Sequence, residues 1–441
     1  MTAPADAPPE AGTTTQDYEA LGAEAYELVK ALYPICRSIT GQGVRDSLSI
    51  LEHYIPLSRT SVPTGTRVFD WEIPREWNIR DAYIKDASGR RVVDFAASNL
   101  HVVNYSMPIR ARMNLRDLKA HLHTIPEYPD WIPYRTSYYR ETWGFCLTQR
   151  QLDSMADGEY EVCIESSLAP GNLTLAELVV PGQVADELLI YTHICHPSLC
   201  NDNLSAIAVA TLLARRRRHI APHHFTLRFV FAPTTIGSIT WLSLNESCAA
   251  GIRHGLVLAS LGDRGALTYK RSRRGDAEVD RVAESVVAAH GGRKVDFSPY
   301  GYDERQFCSP GFNLPVGRLT RSPNGSYPEY HSSADNLDFI TPSALGESLR
   351  ACEEILETLD QNGCYLNLSP KCEPRLGPRG LFRATGGRGP SEFEHALLWV
   401  LNQSDGGVDL LTIAEKSGLE FSLIASAAKA LVDSGLLRRV Q

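Results

Sequence analysis

The stretch YTHICHPSLCNDNLSA, from Tyr191 to Ala206, places His193, Cys195, His196, Cys200 and Asp202 within ten residues, at the end of the apolar run ELLIYT. Two histidines three apart, in a turn tightened by Pro197, can converge on one ion, and Asp202 adds a hard carboxylate oxygen. Nitrogen and oxygen donors together suit zinc, and a catalytic zinc site leaves one position open for water. The same residues admit other chemistries. Cys195 beside an imidazolium could act as a thiol nucleophile. Neighbours on an extended segment point to opposite faces, however, so Cys195 is expected to face away from His196 or against the core. Cys195 and Cys200 could close a structural zinc knot with the two histidines, although such knots usually stabilise small domains. With no metal at all, the loop is a set of histidines satisfying backbone groups.

Two further segments could complete a metal site. EYHSSADNLDFI sets His331 and Asp335 in a polar loop after the strand-like LPVGRL. A distant histidine completing a site begun by a short-range pair is the usual layout of hydrolytic zinc centres. PYGYDERQFCSPGF sets Asp303 and Glu304 in a loop bounded by Gly and Pro. A carboxylate there could act as general base toward a zinc-bound water, whose pKa falls to about 7; the plainer reading is a surface ion pair with Arg305. In PYRTSYYRETWGFC, Arg135, Tyr138 and Tyr139 are candidates to line a substrate pocket, against the plainer reading of a packing seam. The run RRRRH from Arg215 most simply complements the C-terminal dipole of a helix.

These segments need a frame that brings them together. Strand signals cover residues 161–168, 173–180, 187–192, 226–232 and 255–261, and helical patterns cover 204–216, 279–290 and 342–360. Thr341 is placed as an N-cap before Pro342 at the first helical position. Alternating strand and helix signals predict an α/β sheet flanked by helices, and ligands of such sheets bind at the carboxyl ends of the strands. Both histidine clusters fall in strand-to-helix loops. Two helical stripes precede this region, and residues 65–141, rich in aromatics and short strand-like runs, predict an inserted, mainly β subdomain. The expected boundaries are a tail at 1–15, a core at 16–64 and 142–366, the insert at 65–141, a Pro-, Gly- and Arg-rich linker at 367–389, and a C-terminal unit at 390–441. That unit begins with a capping-box pattern, Ser391 to Glu394, and continues as three short helices and a strand, the winged-helix order.

The chain has 441 residues, 43% hydrophobic and 22% charged, with a formal net charge of -8. This is a soluble globular composition with no electrostatic case for nucleic acid or an anionic membrane surface. The third helix of the C-terminal unit offers only Lys429, followed by Arg438 and Arg439, too little positive charge for a DNA-binding face. Packing or dimerisation is the expected role, which leaves room for a homo-oligomer formed through the insert or the winged helix. No apolar run approaches the roughly 20 residues of a membrane helix. The tail has no secretory pattern and the ten cysteines no disulfide spacing, so a cytoplasmic protein with reduced thiols is expected.

Taken together, the strings LYPICRSITGQGVRDSL, FDWEIPREWNIRDAYI, IPYRTSYYRETWGFC, THICHPSLCNDNLSA, PTTIGSITWLSLNE, PYGYDERQFCSPGFNLPVG and YHSSADNLD resemble a bacterial family of aminopeptidase-like proteins. The resemblance implies a zinc-peptidase core, an inserted small domain and a C-terminal winged helix. More distantly, the core resembles the co-catalytic zinc aminopeptidases, whose pattern is His, bridging Asp, a Glu-Glu pair, Asp, then His. On that pattern His193 or His196 takes the first histidine, Asp202 the bridging aspartate and His331 the last histidine, with Asp263 near the later aspartate. Thr234 and Thr235 stand where the resemblance places the glutamates, one a base and one a ligand. The expectation is therefore one zinc per chain, held by His196, Asp202 and His331 with His193 as a further or alternative ligand. Glu304, then Asp303, is the expected base. A zinc-dependent hydrolase of a small peptide or an aminoacylated or amidated metabolite follows. The alternative is a catalytically degenerate binding or scaffold protein.

Overall fold

The computed structural model describes residues 15–220, 222–382 and 391–440. The expected tail, except Thr15, and linker residues 383–389 lie outside the described residues. The chain divides into two units, one up to Glu353 and one from Glu354. The first is built on an eight-stranded mixed sheet. Its spatial order is Ser58–Pro63, Asn172–Val180, Thr226–Ala232, Glu187–His193, Ile252–Leu258, Val316–Thr320, Thr268–Lys270 and Arg293–Val295. The four strands from Thr226–Ala232 to Val316–Thr320 run parallel. LLIYT, FVFA and GLVL are almost continuously apolar because both faces of these strands are covered. Tyr191, Val230, Val257 and Trp241 lie in the resulting core.

Helices Thr15–Leu32, Ala206–His219, Ile236–Leu244, Glu278–Ala289 and Pro342–Gln361 flank the sheet. Parallel register aligns the strand ends: His193 pairs with Ala232, and Thr192 with Leu258. The loops leaving three adjacent strands therefore start at one level, and the candidate site lies there.

The strand foreseen at 161–168 forms as Glu159–Ala169 but joins a different sheet. It pairs with Glu76–Lys85 and Ile109–Asn114 in a four-stranded antiparallel sheet closed by Arg91–Asp94. The physical reason is its polarity. EVCIESSL mixes charged and hydroxyl residues with apolar ones, which suits a strand with one wet face. The sheet of the insert thus takes in residues well beyond 141, around a core of Ala82, Ile84, Val93, Phe145 and Val162.

In the second unit, helices Glu392–Gln403, Leu410–Ser417 and Phe421–Asp433 pack on a three-stranded sheet. Its central strand is Cys364–Asn367, flanked by Asp405–Asp409 and Leu437–Arg439. The chain segment expected to end the core and open the linker thus supplies the middle of this sheet. The capping box forms, with the Ser391 hydroxyl accepting from the Glu394 amide and the Glu394 carboxylate accepting from the Ser391 amide. Lys429 pairs with Asp433, and the Arg439 guanidinium donates to the carbonyls of Asp360 and Asn362. No helix among the described residues is long and apolar enough to cross a membrane.

Candidate metal centre

Asp202 sits at the centre of the site, fully buried, in a distorted turn between the strand Glu187–His193 and the helix Ala206–His219. His193 Nε2 lies 3.0 Å from one carboxylate oxygen, and His331 Nε2 lies 3.0 Å from the other. His196 Nε2 is 3.9 Å from that second oxygen. His193 ends its strand, His196 follows in the loop, and His331 arrives from the loop after Val316–Thr320 with a left-handed backbone (φ 57). Burial alone would raise the Asp202 carboxyl. The neighbouring His196 and the hydrogen bonds of His193 and His331 outweigh it and hold Asp202 well below the usual carboxylate range. Burial also pushes His196 down to about 3, so that imidazole is neutral at ordinary pH.

The turn is fixed by a dense polar network. Asp335 accepts from the backbone amides of Asn201 and Asp202 at 2.5 and 2.9 Å, and burial pushes its carboxyl up to about 8. Asn203 donates to Thr192 Oγ1 and to the His193 carbonyl, tying the turn back to the strand end. Arg37, fully buried, donates to the carbonyls of His196 and Leu32 and so anchors the histidine loop to the end of the first helix. Asp263 does not reach toward Asp202. Its oxygens accept from Asn201 Nδ2, from the Gly265 amide, and from the amide and hydroxyl of Ser322.

Asp303 and Glu304 are both fully buried, with different surroundings. Glu304 Oε1 is 2.9 Å from Lys270 Nζ and 3.4 Å from Arg318 Nη1, so the surface pair with Arg305 gives way to a buried cluster. Gly301 lets its loop approach that closely: a Cβ there would stand 2.3 Å from Glu304 Oε1. Asp303 Oδ1 accepts from Ser238 Oγ at 2.6 Å, and Oδ2 has no partner. Burial pushes its carboxyl up to about 6 against the pull of His193 and the hydrogen bond from Ser238. Asp303 therefore comes from a distant loop to the segment after Thr226–Ala232, where the threonines stand in place of glutamates. Between the two carboxylates' settings, Tyr302 stacks on His193 at 5.0 Å and lies under the Arg318 guanidinium.

Aromatic rings pack around the histidines. Tyr134 packs on His196 at 5.2 Å and His331 at 5.1 Å, Tyr330 stacks on His331 at 3.9 Å, and the Tyr134 and Tyr138 hydroxyls are 3.0 Å apart. Tyr138 thus reaches the site through Tyr134. Arg135 is exposed and engages Asn104 through its backbone carbonyl, while Tyr139 is exposed against Trp71. Cys195 is buried in the core as expected, but its sulfur lies 3.3 Å from His196 Nδ1 and orients that ring rather than facing away from it. Burial pushes the Cys195 thiol up, which removes the nucleophile, and no cysteine joins the cluster of His193, His196 and Asp202. The roles of Arg37 and Tyr134 were missed in the sequence, although both lie inside quoted motifs; only their contacts distinguish them from their neighbours.

The donor set fits a hard or borderline divalent ion. A buried carboxylate is surrounded by three imidazoles and pairs with no lysine or arginine among the described residues. His193, His196 and Asp202 offer donor atoms within 4.8 Å of one another.

The family described as a domain of unknown function (DUF4910) matches residues 26–362, and a winged helix-turn-helix family matches residues 363–439. A Clostridium acetobutylicum protein named for polysaccharide biosynthesis and an aminopeptidase-like domain is 49% identical over 428 residues, 96% of this chain and 98% of its own. A crystal structure from C. acetobutylicum, named for a peptidase, matches with a TM-score of 0.90 at 48% identity over 96% of this chain and 98% of its own. The zinc aminopeptidase of Bacillus subtilis matches with a TM-score of 0.57 at 11% identity, over 78% of this chain and 95% of its own. A peptidase M28 precursor from Shewanella amazonensis gives 0.54 at 14%, over 77% and 95%. The last two share the fold. With its aminopeptidase-like α/β core and C-terminal winged helix, this chain belongs to the DUF4910 family.

Proposed function

We propose that this chain is a zinc-dependent amide hydrolase acting on a small peptide or an aminoacylated or amidated metabolite. The observation that carries the reading is Asp202: a fully buried carboxylate held by imidazoles alone, at the carboxyl ends of parallel strands. Imidazoles can be neutral, so the carboxylate there calls for a cation that the protein itself does not supply. His193, His196 and Asp202 would hold a zinc ion, with His331 on the second oxygen of the same carboxylate. Bound there, zinc would polarise a scissile carbonyl and lower the pKa of a water.

The protein's own contribution divides among the neighbouring residues. Asp303 and Glu304 each keep one oxygen free of hydrogen bonds, but Glu304 is neutralised by Lys270 and Arg318, whereas Asp303 is held by the Ser238 hydroxyl. We therefore assign the proton-accepting role to Asp303 and leave Glu304 the task of pinning the loop that carries Tyr302 and Asp303. Lys270 supports that task by donating also to the carbonyls of Ser298 and Tyr300. Tyr134 and Tyr138, whose hydroxyls are paired with each other, would orient the histidines and can reach a substrate only by exchanging that bond. The named role of the C. acetobutylicum relative is compatible with an amidated sugar metabolite as substrate.

The test is turnover of a panel of small amides by zinc-loaded protein, comparing wild type with Asp303→Asn. The reading expects hydrolysis that a chelator abolishes and that Asp303→Asn loses while retaining zinc. The second reading, a binding protein that has lost catalysis, rests on Thr234 and Thr235 in place of the glutamate pair. Zinc retention with no turnover of any amide would favour it.

A further inference from the structure

Of the three imidazoles around Asp202, His196 alone stands off the carboxylate. The Nε2 atoms of His193 and His331 lie 3.0 Å from its oxygens, whereas His196 Nε2 is 3.9 Å away, beyond hydrogen-bond distance. The far sides of the rings differ too. His193 Nδ1 is buried without a partner, whereas His196 Nδ1 faces Cys195 Sγ at 3.3 Å. The sulfur is itself held in place. It accepts from the Thr234 amide at 3.4 Å and has the Thr234 carbonyl as an acceptor at 4.0 Å. On either side of it in the chain, the Ile194 amide donates to the Ala232 carbonyl at 3.1 Å, and the His196 carbonyl accepts from Arg37 Nε at 2.9 Å. Thr234 stands where the resemblance to the zinc aminopeptidases places a glutamate, so that segment still reaches the centre, through a sulfur.

A neutral imidazole carries one N–H and a thiol one S–H, so two arrangements are open. In the first, His196 Nδ1–H donates to the sulfur and S–H points to the Thr234 carbonyl. Both hydrogens then have acceptors, and the Nε2 lone pair is turned toward Asp202, a juxtaposition that a bound cation relieves. In the second, S–H donates to Nδ1 and the ring proton moves to Nε2, where no Asp202 oxygen is within hydrogen-bond distance. The His196 ring is only 9% exposed, and a donor in so enclosed a place is costly to leave unmet. The first arrangement also accounts for the stand-off of His196 from the carboxylate, which a donating Nε2–H would close.

We propose that the Cys195 thiol is the outer partner of His196: it accepts from Nδ1–H, fixes that tautomer before any metal arrives, and so makes Nε2 a metal-ligating nitrogen. Cys195 is thus a positioning residue that acts on the metal through the imidazole. The inference rests on the metal-centre reading for what Nε2 binds, but not for the tautomer. Its test is proton–nitrogen correlation spectroscopy on the full chain, isotope-labelled at histidine nitrogens and stripped of metal with a chelator. The His196 signals are assigned by their loss in His196→Ala. The Nδ1–H tautomer is expected in wild type and in Cys195→Ser, whose hydroxyl can also accept, with a shift toward Nε2–H in Cys195→Ala. Zinc competition titration should leave Cys195→Ser close to wild type and show Cys195→Ala weaker by about 10–100-fold. A thiol that only fills space would move neither readout. The proposal is overturned by an Nε2–H tautomer at His196 in metal-free wild type, which needs no variant to fold, or by Cys195→Ala protein that keeps both the tautomer and the zinc affinity. A wild-type chain that shows the Nδ1–H tautomer yet binds no zinc would count against the metal reading and leave the pairing of Cys195 with His196 standing.

Discussion

Asp202 and Glu304 are both carboxylates with no solvent exposure, yet they are held by opposite kinds of partner. Glu304 faces Lys270 and Arg318, permanent cations that complete its charge within the protein. Asp202 faces His193, His196 and His331, groups that can be neutral and that offer lone pairs once they give up a proton. On the proposed reading, the difference separates a structural carboxylate from a metal ligand. A site already neutralised by guanidinium and ammonium has no room for a metal ion, whereas a carboxylate among imidazoles keeps one.

Glu304→Gln breaks the comparison on its structural side. Two buried cations lose their carboxylate, and removing one partner of a buried pair costs about 3–5 kcal/mol. Denaturant unfolding should show that loss, while zinc binding survives. A stability close to wild type would mean that the Ser298 and Tyr300 carbonyls suffice for Lys270. Asp335→Asn sharpens the other side. Its two carboxyl oxygens accept from the Asn201 and Asp202 amides without touching the site's donor atoms, so zinc affinity should fall about 10–100-fold, the usual cost of losing an outer partner. Zinc competition titration would detect it, and unchanged affinity would show the turn to be held by Asn203 and Arg37 alone.

The smallest effect is one of pH. A base must be ionised, and burial holds Asp303 protonated up to about 6. Hydrolysis should therefore fall as pH drops below about 6, approaching tenfold per unit. Glu304→Gln should keep that acidic limb, and a profile flat from pH 8 to 5 would remove Asp303 from the role.

Strand positions were largely legible because parallel strands covered on both faces read as continuous apolar runs, as in LLIYT and FVFA. The strand Glu159–Ala169 was visible as a strand but not as part of the insert, because pairing partners depend on residues some eighty positions away. Cys364–Asn367 was hidden in the same way: four residues beside a Pro-rich stretch carry too little pattern to announce a central strand. At the site, His193, His196, Asp202 and His331 could be named from type and spacing, because few residues combine those donors at a strand end. The division of labour between Asp303 and Glu304 could not. Adjacent carboxylates look alike in sequence, and only the folded chain shows Lys270 and Arg318 beside one and Ser238 beside the other. Arg37 illustrates the same limit, since its role is a hydrogen bond to a carbonyl 159 positions away.

The most direct test of the contrast between the two carboxylates is metal content by elemental analysis. Protein purified without a histidine tag or added metal would be compared across wild type, Asp202→Ala, His331→Ala and Glu304→Gln. Wild type and Glu304→Gln should carry about one zinc per chain, and Asp202→Ala and His331→Ala none. Wild-type protein that takes up no metal even when zinc is supplied, or Asp202→Ala protein that keeps it, would contradict the account.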